Sequence, residues 1–133
     1  MADLLLVTGQ LVRRLRSLPN THELPWLQVA ILGRLERDGP MTTADLARAE
    51  AVKPQSMGAV LAVMEKNGFV ERQPHPSDGR QVLLSITEEG RNIRQKVRLV
   101  RTEWLMDAMT KFTSEEQNTL AAAVELLRRL GDS

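Results

Sequence analysis

The stretch that decides the fold is FVERQPHPSDGRQVLLSIT, residues 69–87. Two runs rich in β-forming residues lie within it, and we predict strands over Phe69–Gln73 and Gln81–Ile86. Between them stand the Pro, Ser, Asp and Gly residues typical of loops. The connection is too long for a tight two-residue turn. We therefore predict a hairpin whose loop projects as a wing and carries one cation, Arg80.

Two short helices are predicted just upstream of this hairpin. The first covers about Thr43–Ala49, and the second opens with Pro54 and ends before Gly68, as helices often do. One face of the second helix is apolar and consists of Met57, Val60, Leu61 and Met64. The opposite face is small or polar and consists of Gln55, Ala59, Ala62 and Lys66. Two helices followed by a hairpin form a winged helix-turn-helix, whose helix fits a major groove and whose wing reaches a minor groove.

The flanking segments predict long helices that are suited to pairing with a second chain. An N-terminal helix over about Asp3–Leu18 carries leucines spaced in a four-three pattern. Two more helices begin after Thr87 and Thr113. The expected fold is mainly α with a small β-hairpin wing. The expected domains are an N-terminal dimerisation helix (1–20), a winged helix-turn-helix (21–90) and C-terminal dimerisation helices (91–133).

Composition narrows the class of protein. The 133 residues include no cysteine and carry a formal net charge of only +1. Thiol chemistry is therefore excluded, and the motifs of common hydrolases, nucleotide-binding loops and zinc proteases do not occur. We expect no enzymatic activity, no cofactor and no metal. We also expect no membrane span, because no apolar run approaches the roughly 20 residues that one needs.

Charge is unevenly distributed along the chain. Residues 41–101 contain ten Lys or Arg against seven Asp or Glu. Five of these cations follow one another without an intervening acid: Arg91, Arg94, Lys96, Arg98 and Arg101. Such a run is either a solvated helix face or a stripe that faces phosphate, and the sequence leaves both open.

The chain resembles the MarR family of bacterial regulators. The resemblance rests on the segments MTTADLA (41–47), VKPQSM (52–57), MEKNGFVER (64–72), SDGR (77–80) and LSITEEG (84–90). The wing segment Asp-x-Arg and the following Thr-x-x-Gly are its most specific parts. The resemblance implies a homodimer that binds double-stranded DNA in the cytoplasm. Members of that family often respond to small anionic or phenolic ligands, so a small-molecule effector joins the expected partners.

Candidate DNA-binding residues follow from the helix and the wing. They are Thr43, Lys53, Pro54, Gln55, Ser56, Ala59, Arg72, Asp78 and Arg80. Gln55 has the geometry to pair with adenine, and Arg80 suits the negative potential of a narrow minor groove. Asp78 is expected to hold the Arg80 guanidinium rather than to touch DNA. The alternative for this pair is a local contact that closes a turn.

Aromatic residues supply the candidate effector site. Trp26, Trp104 and Phe112 are three of only four aromatic residues, and we predict that they line a cavity between the first, second and fifth helices. Core packing is the alternative for aromatics at helical spacing. His75 is expected to be solvated, and a metal site involving it and His22 is improbable.

One feature favours a rival class of protein. The second helix carries Gly58, Ala59, Ala62 and Val63 where the family often has hydrogen-bonding or charged residues. A helix so poor in donors also suits a winged-helix module that binds a partner protein instead of DNA. The favoured reading is a repressor that binds a pseudo-palindromic operator, and steep salt dependence of DNA binding separates it from the rival.

Overall fold

The computed structural model describes residues 1–19, 21–22 and 24–133. These residues form six helices and three strands, which confirms the predicted mainly α fold with a small sheet. The elements are α1 (Ala2–Arg16), α2 (Trp26–Asp38), β1 (Met41–Thr42), α3 (Thr43–Ala49), α4 (Pro54–Lys66), β2 (Val70–Pro74), β3 (Val82–Ile86), α5 (Glu88–Met109) and α6 (Ser114–Gly131). The predicted end of the N-terminal arm at residue 20 lies outside the described residues.

Local signals in the sequence define the helix-turn-helix. The Thr42 hydroxyl accepts a hydrogen bond from the Asp45 backbone N–H at 3.1 Å and caps α3. The Asp45 carboxylate pairs with Arg48 at 3.0 Å. Helix α4 has proline at its first position, and Gly68 follows its end with a φ of 80°.

The sheet has one strand more than the predicted hairpin. Strand β3 is central and pairs antiparallel with β2 on one side and with β1 on the other. The β2–β3 register places Val70 opposite Ile86, and β1 places Met41 opposite Leu84. Strand β1 has two residues, which is too short to show the alternation by which strands are recognised in a sequence.

The core lies where α2, α3, α4 and the sheet meet. Its largest fully buried side chains are Ile31, Leu32, Leu35, Leu46, Met57, Leu61, Met64, Val70 and Leu84. The predicted apolar face of α4 thus packs inward, with Val60 only partly buried. Because this face is anchored, the opposite face of α4 is fixed toward solvent.

A tight junction joins the wing to α5. The Thr87 hydroxyl donates to the Gly68 carbonyl at 2.6 Å and accepts from the Gly90 backbone N–H at 3.0 Å. A Cβ at Gly90 would lie 2.2 Å from the Phe69 carbonyl oxygen, so only glycine fits there. The junction explains why the Thr-x-x-Gly segment follows the second wing strand.

The terminal helices leave apolar side chains uncovered. Described residues of α1 that are exposed include Leu5, Leu6, Val7 and Leu11, and those of α6 include Leu120, Val124, Leu127 and Leu130. Of the leucines predicted to pair from the N-terminal helix, Leu11 is exposed, Leu15 is partly buried and Leu18 is buried. The apolar residues of α6 face solvent in a single chain. Among the described helices, none has the length and apolar character required to cross a bilayer.

Candidate nucleic-acid interface

The amino-terminal end of α4 is an open, polar surface. Lys53, Pro54, Gln55 and Ser56 are all exposed there. Lys53 is the N-cap residue and has an extended backbone with φ −63° and ψ 140°. The first backbone N–H groups of a helix lack intrahelical acceptors, and here they share one end with a lysine. This end is suited to phosphate, while Gln55 and Ser56 are placed to reach base edges.

The middle of the solvent face of α4 carries small side chains. Ala59 and Ala62 continue the face one and two turns beyond Gln55, and both are exposed. Gly58 flanks this face, and a Cβ built on it would meet no heavy atom of the described chain within 4 Å, apart from its own helix backbone. Packing therefore does not require glycine at position 58. The small residues allow a large partner to approach the helix backbone closely.

The wing loop has a different internal arrangement from the one predicted. The Asp78 carboxylate accepts a hydrogen bond from the Arg80 backbone N–H at 3.0 Å. Among the ion pairs between described residues, none joins Asp78 to the Arg80 guanidinium. The expectation that Asp78 holds that guanidinium is thus not met, because the carboxylate closes a turn through the backbone. The Arg80 side chain is exposed at the tip of the wing.

His75 contributes to the same turn and is more than a solvated side chain. Its Nδ1 atom accepts hydrogen bonds from the backbone N–H groups of Ser77 and Asp78, each at 3.1 Å. The neck of the loop is closed by a bond from the His75 N–H to the Gln81 carbonyl at 3.2 Å. His75, Asp78 and Arg80 therefore form one connected turn. The sequence showed a histidine between two prolines but gave no sign of these bonds.

One further candidate has a partner within the chain, and another is partly buried. Arg72 on β2 donates through Nε to the Glu65 carboxylate on α4 at 2.5 Å, and both side chains remain close to half exposed. Thr43 is the first residue of α3 and is partly buried. The structure therefore brings together the residues of α4, while Arg72 and Arg80 lie on the wing beside them.

A groove separates α1 from α2 and α5. It has a volume of about 490 Å³, and both tryptophans line it. The Arg101 guanidinium lies 4.4 Å from the centre of the Trp26 ring, and that of Arg16 lies 5.1 Å from it. Arg14 lies 5.8 Å from the Trp104 ring centre. The aromatic rings are thus bordered by cations from two helices.

Arg101 is the most constrained of these cations. Its Nε atom is buried and has no hydrogen-bond partner among the described residues. Partial burial lowers the pKa of the Arg101 guanidinium below its ordinary value. An acceptor that entered the groove would therefore satisfy a donor that the chain leaves unpaired.

Phe112 does not belong to this groove. It lies in the turn between α5 and α6, is partly exposed, and is not among the residues that line the cavity. The helical pattern placed it on the same side as the tryptophans, but α5 ends at Met109 and the chain turns away. Of the three aromatic residues proposed for the effector site, only Trp26 and Trp104 line the groove.

The arginine run on α5 faces the same region. Arg94 pairs with Glu36 on α2 at 2.8 Å, and Arg94, Arg98 and Arg101 all line the groove. These three residues thus border a cavity between helices instead of forming a continuous stripe on a solvated face. The sequence could not show this because the facing helix, α2, lies about 60 residues earlier in the chain.

The helix-turn-helix packs on the core, its second helix has an exposed face, and a cation lies at the wing tip. These features define the class of winged-helix DNA-binding proteins. The MarR family model matches residues 24–82. A helix-turn-helix-type transcriptional regulator of Mycobacterium leprae is 37% identical over 131 residues, which are 98% of this chain and 92% of the relative. The chain belongs to the MarR family, and it is a DNA-binding transcriptional regulator.

Other comparisons agree with this membership. A solved transcriptional regulator protein from Pseudomonas aeruginosa is 32% identical, with a TM-score of 0.83 over 99% of this chain and 93% of that one. The homoprotocatechuate degradative operon repressor of Escherichia coli is 27% identical over 118 residues, which are 89% of this chain and 80% of that repressor. Together they favour the DNA-binding class over the rival class of protein-interaction modules.

Proposed function

We propose that the protein is a repressor that binds a pseudo-palindromic operator as a homodimer in the cytoplasm. The observation that carries the proposal is the exposed end of α4, where Lys53, Gln55 and Ser56 project from a helix anchored by its opposite face. Repression is supported by the repressor among the relatives. Dimerisation is supported by the uncovered leucines of α1 and α6, and the domain limits remain 1–20, 21–90 and 91–133.

The DNA-binding surface consists of the residues named from the sequence. Gln55 and Ser56 read base edges in the major groove, and Ala59 lets the helix approach closely. Lys53, Pro54 and Thr43 lie at helix starts, where lysine and backbone N–H groups meet phosphate. Arg80 enters the neighbouring minor groove from a turn closed by Asp78. Arg72 contacts phosphate from the first wing strand.

The groove between α1, α2 and α5 takes a small anionic aromatic effector. Trp26 and Trp104 supply ring faces for stacking, and Arg98 and Arg101 supply donors for a carboxylate. The groove lies between the dimerisation arm and the winged helix. Binding there changes the spacing of the two winged helices and lowers their affinity for the operator.

The first experiment is a selection of bound duplexes from a random pool. We expect an inverted repeat whose half-sites are centred about one helical turn, roughly 34 Å, apart. Sedimentation of the complex should give two chains per duplex. A selected site without inverted symmetry, or a complex that contains one chain, would contradict the proposal. Enrichment of no duplex at low salt would remove DNA binding itself.

A further inference from the structure

The wing turn contains an acceptor with an unusual requirement. Two backbone N–H groups, those of Ser77 and Asp78, point at the Nδ1 atom of His75 from 3.1 Å. Backbone N–H groups can only donate. The Nδ1 atom must therefore carry its lone pair, and any proton on this neutral imidazole is at Nε2.

We propose that His75 is a positioning residue for Arg80. The proposal deepens the DNA-binding function given above and rests on it. Its structural basis is a chain of short contacts: His75 holds the N–H of Asp78, and the Asp78 carboxylate holds the N–H of Arg80. The backbone of the residue that carries the cation is thus tied to the imidazole.

Loss of the Nδ1 acceptor removes this support. The Ser77 hydroxyl also lies 3.3 Å from Nδ1, so this one atom joins three groups of the turn. Without it the N–H groups of Ser77 and Asp78 lose their shared acceptor, and Arg80 is no longer held at one place. The other charged side chains of the wing are Glu71, Arg72, Asp78 and Arg80. Arg72 and Asp78 already have partners in Glu65 and the Arg80 N–H, respectively.

Three substitutions separate the two ring nitrogens. In His75→Asn, the amide oxygen stands where Nδ1 stood, and asparagine readily accepts from the N–H two residues onward. In His75→Gln, the amide reaches the Nε2 position instead. In His75→Ala, a polar atom is absent from both the Nδ1 and the Nε2 position.

The measurement is operator affinity of the protein on the selected duplex at fixed salt and pH. We expect His75→Ala and His75→Gln to weaken binding about fivefold, on the order of the net contribution of a hydrogen bond, because the turn that holds Arg80 loses its acceptor. We expect His75→Asn to bind like the wild type.

Several results would overturn the inference. One is a His75→Ala variant that binds like the wild type, and another is a His75→Asn variant as weak as the Ala variant. A Gln variant that alone restores binding would show that Nε2 contacts DNA directly. Failure of the wild type to bind any duplex would instead contradict the proposed function.

Discussion

Arg72 on the first wing strand donates to Glu65 near the end of the DNA-facing helix, with Nε and the carboxylate oxygen 2.5 Å apart. The contact joins the two parts of the proposed DNA-binding surface, α4 and the wing. Because both side chains are close to half exposed, the pair contributes little to the free energy of unfolding. Its main effect is to place one positive and one negative charge beside the expected phosphates.

The role of Arg72 can be tested with the two single variants. Arg72→Ala should weaken operator binding, because a phosphate contact is lost. Glu65→Ala should strengthen it, because a carboxylate is removed from the DNA face and Arg72 is released. Titrations of both variants against one labelled duplex measure the effect. If both variants weaken binding equally, the Arg72–Glu65 ion pair supports binding by holding the wing against α4, and Arg72 does not contact phosphate.

Arg80 is expected to contribute to affinity and not to stability. Its guanidinium is exposed, and its backbone N–H is held by Asp78 whatever the side chain. Arg80→Ala should therefore weaken operator binding and leave the midpoint of thermal unfolding unchanged. Lys111→Ala removes an equally exposed cation from the turn between α5 and α6 and serves as the control. Undiminished binding by Arg80→Ala would exclude the wing from DNA contact.

Gln55 is expected to determine specificity at one base pair. Its amide suits the paired donor and acceptor of adenine in the major groove. Gln55→Ala should cost about 1–3 kcal/mol on the preferred site and relax one position when the selection is repeated. Gln95→Ala, at an exposed position of α5, is the matched control. A loss of equal size on all duplexes would assign Gln55 to phosphate instead.

Two glycines should respond in opposite ways to alanine. Gly58→Ala should stabilise the fold by up to about 1 kcal/mol, because the helix interior gains propensity and the site is open. Gly90→Ala should destabilise it severely, since the new Cβ would lie 2.2 Å from the Phe69 carbonyl oxygen. Urea unfolding of both variants measures the difference. A destabilised Gly58→Ala would mean that the surroundings of α4 are tighter than described.

Tryptophan fluorescence reports directly on the groove. The chain has two tryptophans and no tyrosine, and both tryptophans line the cavity. Benzoate should quench this fluorescence with a saturable curve, and Arg101→Gln should weaken the apparent affinity because a carboxylate partner is lost. Lys111→Ala should bind benzoate like the wild type. Unsaturable quenching in all three proteins would contradict the proposed effector site.

The winged helix could be predicted closely because its signals are local. The Thr42 cap, Pro54 at the first position of α4 and Gly68 after its end each act within a few residues of the boundary they set. The stripe of α4 shows in its own period of 3.6 residues. The expected helix over Thr43–Ala49 and the start at Pro54 agree with the structure to the residue.

The features that were missed depend on distant partners. Strand β1 exists because Met41 meets Leu84, and no pattern within two residues reveals that pairing. Arg101, whose guanidinium lies over the Trp26 ring, comes from α5, which is far from Trp26 in the chain. In the wing, a contact between Asp78 and Arg80 could be predicted from the sequence, but the atoms that bond could not. Side-chain to backbone hydrogen bonds of this kind depend on loop geometry.

The most direct test of the central claim is the salt dependence of operator binding. The claim is that a dimer holds duplex DNA through α4 and Arg80. The logarithm of the association constant should then fall linearly with the logarithm of salt concentration, by roughly 0.9 per phosphate contact. Arg80→Ala should give weaker binding throughout the series. An affinity that does not change with salt, or no binding at the lowest salt concentration, would contradict the claim.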